Sequence, residues 1–195
     1  MVESSNEIFR FVLHTLLRSE DDLKREKDEE VNLYLAQILL GLTDPLYQQW
    51  SAGYVKEHDS SVFQSAEEFP DRVHKYLLYK LNADYLLTSL GIFQNIGRPR
   101  GAYPRFYEQG PHIYMGRGKA YYGMAAEYNH QIYRHPTSVQ EILQKLSRSF
   151  EDYVRILAYI RSTYFDFVRR ISKQDLINFA QQLKLYEREQ FPPPG

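Results

Sequence analysis

Apolar side chains recur every three or four positions along most of the chain, and that spacing predicts helices. Ile8, Phe11, Val12 and Leu16 open the series within residues 6–19. Val31, Tyr34, Leu35, Ile38 and Leu42 make a second stripe. Asp44-Pro45 ends it and opens another helix, because aspartate suits a cap and proline the first helical position. That helix carries Leu46, Trp50 and Tyr54 on one side. "HDSSVFQ", residues 58–64, reads as a loop, since Pro70 would sit too deep in a helix begun at the Ser65/Glu68 capping pair. The next helix is expected from near Pro70 to Leu90, with Gly91 as its terminator. On it His74 aligns with Leu78, Leu81 and Tyr85, as a core histidine would. Helix then resumes near Lys119, with Tyr121, Ala125, Tyr128 and Ile132 on one face, until His135-Pro136 breaks it.

The strongest periodicity follows Ser138 and Glu141, which have capping-box spacing. Leu143, Leu146, Phe150, Tyr153, Leu157, Ile160, Tyr164, Phe167 and Ile171 alternate steps of three and four, an unbroken heptad pattern. At 1.5 Å per residue such a helix would be roughly 45–50 Å long. Val154, Ile156 and Val168 widen the stripe toward that of a bundle helix. Ser172 and Asp175 would cap a last helix carrying Leu176, Phe179 and Leu183. No segment alternates as a strand does, and nothing repeats at a period of 20–50 residues. The expected fold is all-α: one domain over residues 1–190, with five to seven helices around a long helix from about 138 to 171. A long irregular loop is expected at about 91–118, and a disordered proline-rich tail, "FPPPG", at 191–195.

Composition narrows the function classes. The 195 residues are 43% hydrophobic with a formal net charge of −1, so an electrostatic role must come from local patches. The absence of cysteine excludes disulfide scaffolds, thiolate zinc sites and cysteine nucleophiles. The first residues lack the basic start and cleavage site of a signal peptide, and no apolar run approaches the roughly 18 residues of a membrane span. A cytoplasmic protein with no membrane partner is the expectation. "EDDLKREKDEE", residues 20–30, reads as a solvated helix end or a helix–helix corner, with favourable Glu20–Lys24 and Asp21–Arg25 pairs. Seventeen tyrosines stand beside one tryptophan, enough to build either an aromatic core or a ring-lined surface.

One stretch differs in chemistry. Residues 95–123 hold six of the ten glycines, three of the nine prolines and five cations against one acid, Glu108. "GRGKA" has neither the preceding glycine nor the hydroxyl of a phosphate loop. Arginine forks interleaved with rings nevertheless suit an anionic group, and a helix starting near Gly118 would add backbone donors. The candidate ligand- or partner-binding residues are therefore Arg98, Arg100, Tyr103, Arg105, Tyr107, Tyr114, Arg117 and Lys119. Glu127/His130 and Asp71/His74 have the i,i+3 spacing of helical metal ligands but lack further inward carboxylates, so neither a metal nor another cofactor is expected. No catalytic signature appears.

These features point to a non-enzymatic helical interaction or regulatory module, binding a protein partner through its helical surface and the 95–119 loop. The alternatives are a binder of an anionic ligand, nucleotide-like or nucleic-acid phosphate, and an enzyme or metal protein with an unrecognised helical site. Self-association into a homo-oligomer is compatible with all three.

Overall fold

A computed structural model describes residues 2–56, 58–93 and 110–164 of the chain. Among them are α1 (Val2–Asp22), α2 (Glu29–Gly41), α3 (Pro45–Ala52), α4 (Asp59–Glu68), α5 (Arg72–Thr88), a π turn (Ser89–Phe93), α6 (Pro111–Tyr133), α7 (Ser138–Arg148) and α8 (Phe150–Tyr164), and no strand. The all-α expectation holds. None of these helices is long and apolar enough to cross a membrane.

The starts of α2, α3, α5 and α7 follow from capping side chains, which satisfy amide groups the helix leaves over. Asp28 accepts from the Val31 amide, Asp44 from Leu46 at 2.9 Å, and Asp71 from His74 at 2.9 Å. The cap of α7 is Thr137, one residue ahead of the expected Ser138; its Oγ1 accepts from the Gln140 amide at 3.0 Å and donates to Asn129 Oδ1 at 2.6 Å. α5 and α6 pack along each other, α6 against α7, and α1 against α2 and α8, while α8 lies on the π turn. Leu16, Leu35, Leu78, Leu87, Leu143, Leu146, Phe150, Leu157 and Ile160 fill the centre, none more than 1% exposed.

Five expectations are corrected. The long helix is divided: Ser149 leaves helical geometry (φ −118, ψ 32), and α8 restarts on its carbonyl, which accepts from the Asp152 amide at 3.0 Å. From Leu143 to Ile160 the heptad residues are still buried, so the stripe is a core stripe on two helices; Phe167, Ile171 and the capped helix beyond them lie outside the described residues. "HDSSVFQ" is the first part of α4, because Val62 and Ala66 are buried and Asp59 is gripped from α6. Gly91 ends nothing. It sits inside the π turn where an added Cβ would come 2.5 Å from Leu157 Cβ, so the missing side chain permits close packing of α8. α6 begins at Pro111 rather than near Lys119. Gly118 lies buried within it, its hydrogen taking space that a methyl would contest with the Phe150 ring. Finally, residues 20–30 form the corner between α1 and α2, but α1 stops at Asp22 and Lys24 turns left-handed (φ 53), so the expected i,i+4 pairs are replaced. Lys27 meets Asp21 at 2.8 Å and Arg25 meets Asp152 of α8 at 3.0 Å, while Glu20 is buried.

Candidate functional site

Helix α3 is the anomaly of the fold. None of its residues is buried, and it presents Leu46 at 75% and Trp50 at 47% exposure. Pro45 fixes its first turn and Asp44 caps it, so the helix forms without a core face of its own. Its rings, Tyr47 and Trp50, stand at i and i+3, and Tyr54 follows two residues beyond the helix end. Tyr47 and Trp50 have ring centroids 5.8 Å apart at 49°, and Trp50 and Tyr54 are 5.6 Å apart at 55°. The series continues onto the α4–α5 junction, where Tyr54 meets Phe69 at 6.0 Å and His74 at 6.3 Å. His74 is therefore not the expected core histidine. It is exposed, bound by Nδ1 to Asp71 Oδ2 at 2.6 Å, and the His74 amide holds the Asp71 carboxyl below its ordinary value.

This surface is anchored from beneath. Buried Asn82 of α5 donates from Nδ2 to the Tyr54 carbonyl at 3.0 Å, and its Oδ1 accepts from the Lys56 amide at 2.9 Å. Both sides of the Asn82 amide are used, so the chain leaving α3 has one position. Tyr47 packs its ring over Gly41, and burial, followed by the nearby Asp84 carboxylate, pushes its phenol upward.

Asp84 is itself the centre of a closed polar cluster. It is 4% exposed, and its Oδ1 accepts from Tyr34 of α2 at 2.7 Å and Tyr122 of α6 at 2.8 Å. Its Oδ2 pairs with Lys80 at 2.6 Å, one turn back on α5, and that ammonium lies 5.0 Å from the Tyr34 ring centre. Burial first, and Asp84 second, drive the Tyr34 and Tyr122 phenols well above their ordinary value, so both stay protonated and donate. The one negative charge is matched by one positive charge and every oxygen has donors. Such a cluster fixes three helices against one another.

The residues singled out from the sequence fall into two groups. Arg98, Arg100, Tyr103, Arg105 and Tyr107 lie outside the described residues. Tyr114, Arg117 and Lys119 belong to α6. Tyr114 is buried. Arg117 pairs through Nε with Asp59 Oδ2 at 2.5 Å, its guanidinium 5.1 Å from the Tyr114 ring centre, and Tyr121 donates to the other Asp59 oxygen. Lys119 pairs with Glu151 of α8 at 2.7 Å. These two cations thus do not converge at a helix start; they tie α6 to α4 and to α8. Glu127 accepts from Gln131 at 3.0 Å and faces solvent, as its position opposite the apolar stripe implies. No group of three potential metal ligands occurs among the described residues.

Sequence reasoning placed Leu46, Trp50 and Tyr54 on one helix side but did not see that the side was left uncovered. The available signal was the brevity of the helix and its two glutamines, Gln48 and Gln49, where a core helix would carry aliphatic residues. Asp84 was missed as well, though an aspartate four residues after Lys80 inside the apolar run 81–90 marks a buried pair. No family model matches the chain, and no curated protein or solved structure matches it either.

Proposed function

We propose that the protein is a helical interaction module that binds a partner protein through the aromatic face of α3 and the adjoining α4–α5 junction. The observation that carries this reading is α3 itself: a capped helix with no fully buried residue that presents Leu46 and Trp50. Tryptophan and tyrosine dominate the energetics of protein interfaces, and an apolar side chain gains about 1.5–3 kcal/mol when fully covered. Pinning through Asn82 lowers the ordering cost of binding, because the rings are already in place. An anionic ligand has less support, since Arg117 and Lys119 are each committed to a carboxylate. An enzyme has less again, the most perturbed titratable groups being closed around Asp84.

The test is a photo-crosslinking amino acid at the exposed position of Gln49, activated in the source cells. The expected result is a discrete protein adduct that disappears when Leu46→Ser and Trp50→Ser are added, with the melting temperature unchanged. An adduct of twice the chain mass would identify the partner as a second copy. No adduct, or one indifferent to the two serines, overturns the reading.

A further inference from the structure

The surface that carries the exposed rings is also acidic. Among the described residues from 44 to 71, five are carboxylates (Asp44, Asp59, Glu67, Glu68 and Asp71) and one, Lys56, is a cation, although the whole chain holds 25 acids and 24 Lys and Arg. We propose that the α3 face takes a basic segment of its partner protein, with an arginine laid on the rings and the neighbouring carboxylates answering its charge. The inference rests on the reading of α3 as an interaction face and names the chemistry of what binds there.

Three observations carry it. The first is where the acids stand. Asp71 is half exposed and bonded to His74, whose ring lies 6.3 Å from that of Tyr54 and 5.4 Å from that of Phe69. Glu68 directly precedes Phe69, itself 6.0 Å from Tyr54, and Glu67 and Glu68 are both exposed. Asp44 caps the other end of the helix. The second is how little of this charge is answered from within. Asp59 is matched by Arg117, but among the described residues no Lys or Arg pairs with Asp44, Glu67, Glu68 or Asp71. Lys56 turns its ammonium to the Gly53 carbonyl at 3.1 Å, and Arg72 gives its guanidinium to the Gln131 carbonyl of α6 at 3.3 Å. Even with Arg72 and Lys75 counted, the stretch stays acidic. The third is α3 itself, which contains no Lys or Arg and whose last turn, where Trp50 stands, is the negative pole of the helix.

Arginine fits both halves of this surface. Its guanidinium is planar and weakly hydrated, so it lies flat on an aromatic face while its N–H groups reach carboxylates at the edge. The chain uses that pairing inside its own fold: Arg117 lies 5.1 Å from the Tyr114 ring centre while bonded to Asp59. At the α3 face, Trp50 is 47% and Leu46 75% exposed, so ring and aliphatic surface are both open to a partner. An acidic segment would meet like charge there, which costs affinity and suppresses wrong partners.

Trp50 is the only tryptophan and reports on the face directly. Short random peptides displayed on phage are selected on the full chain, and those that also bind the full chain carrying Leu46→Ser and Trp50→Ser are discarded. In what remains, arginine should be enriched about two- to five-fold over the starting library, with aspartate and glutamate depleted. Synthetic copies of the selected peptides should shift Trp50 fluorescence. Glu68→Lys with Asp71→Asn should weaken them about three- to ten-fold at unchanged melting temperature, since asparagine keeps the cap of α5. Glu67→Lys with Glu68→Lys, which touches no cap, should weaken them likewise. Retained peptides that are neutral, acidic or rich in lysine instead of arginine overturn the proposal, as does an empty selection or an affinity indifferent to both charge variants. If the Gln49 adduct still forms in any of those cases, the interaction reading survives alone.

Discussion

Replacing Glu20 with glutamine should stabilise the protein at neutral and alkaline pH. Glu20 is 1% exposed in the last turn of α1, and Arg25, the cation that acts on it, spends its guanidinium on Asp152. Its side-chain partner is Asn32 of α2, fully buried, whose Nδ2 donates to Glu20 Oε2 at 2.6 Å. The other half of that amide, Asn32 Oδ1, has no hydrogen-bond partner. A carboxylate cannot supply one, but a protonated carboxyl or a glutamine amide can, because each both donates and accepts.

Two effects oppose each other at this position. The bond from Asn32 is short and charge-assisted, which favours the ionised form. Burial disfavours it, the Asp28 carboxylate adds to the penalty, and a negative charge at a helix C-terminus costs a further 0.3–1 kcal/mol or so. Burial wins: it pushes the Glu20 carboxyl upward in spite of the bonds from Asn32 and the Asp28 amide. An unfolded glutamate titrates near 4.3. With the folded value above that, the stability contributed by the protonated pair is complete below the unfolded value and is lost as pH rises through the folded one. Glu20→Gln has no proton to lose and also satisfies Asn32 Oδ1, an unsatisfied buried acceptor being worth about 1–3 kcal/mol. The expected gain at pH 8 is about 1–2 kcal/mol, or a rise of roughly 2–8 °C in Tm at this chain length. Thermal unfolding followed at 222 nm from pH 5 to pH 8, at constant ionic strength, should show the gap between variant and wild type widening with pH. Glu20→Ala should instead lower Tm throughout, leaving Asn32 with no partner on either side. A Glu20→Gln protein less stable than wild type at pH 8, or a gap independent of pH, refutes the reasoning.

Two further changes test the packing by urea unfolding. Leu157→Ala and Ile160→Ala, at sites 0% and 1% exposed, should each cost about 2–5 kcal/mol, whereas Arg148→Glu on the outer side of α7 should stay within about 0.5 kcal/mol. Gly118→Ala should lower stability by about 1–3 kcal/mol although alanine is the better helix former by about 1 kcal/mol, because its methyl collides with the Phe150 ring; a stabilised variant would show that the ring gives way.

Helix content and core identity were legible because burial imposes a period on the chain. The stripe from Leu143 to Ile160 was found residue by residue for that reason, and Asp44-Pro45 because a cap is a local bond between neighbours. The break at Ser149 was not legible, since the heptad pattern continues across it and only the fit of α7 to α6 and of α8 to α1 decides where the axis turns. Gly91 and Gly118 were misread for a related reason. A glycine read alone signals a helix end, yet here each is small because another helix comes close, and the partner atoms belong to Leu157 and Phe150, far along the chain. The basic character of Arg117 and Lys119 was visible, but not that Asp59 and Glu151 neutralise them.

The tyrosines explain why the surface helix and the interior belong to one arrangement. A phenylalanine core could slide by a turn and lose only some packing, whereas Tyr34 and Tyr122 must each reach the same Asp84 oxygen from different helices. A slide of α2 or α6 by one turn would leave a phenol and a carboxylate without partners in a closed interior, each worth about 1–3 kcal/mol. That requirement fixes α5, and with it Asn82, two residues before Asp84 on the same helix. Asn82 in turn holds the Tyr54 carbonyl and the Lys56 amide. Tyr47 packs over Gly41 at the end of α2, the helix that carries Tyr34. The position of the exposed rings of α3 is thus set by hydrogen bonds that no partner can reach, and a face built this way keeps its shape whether or not anything is bound to it.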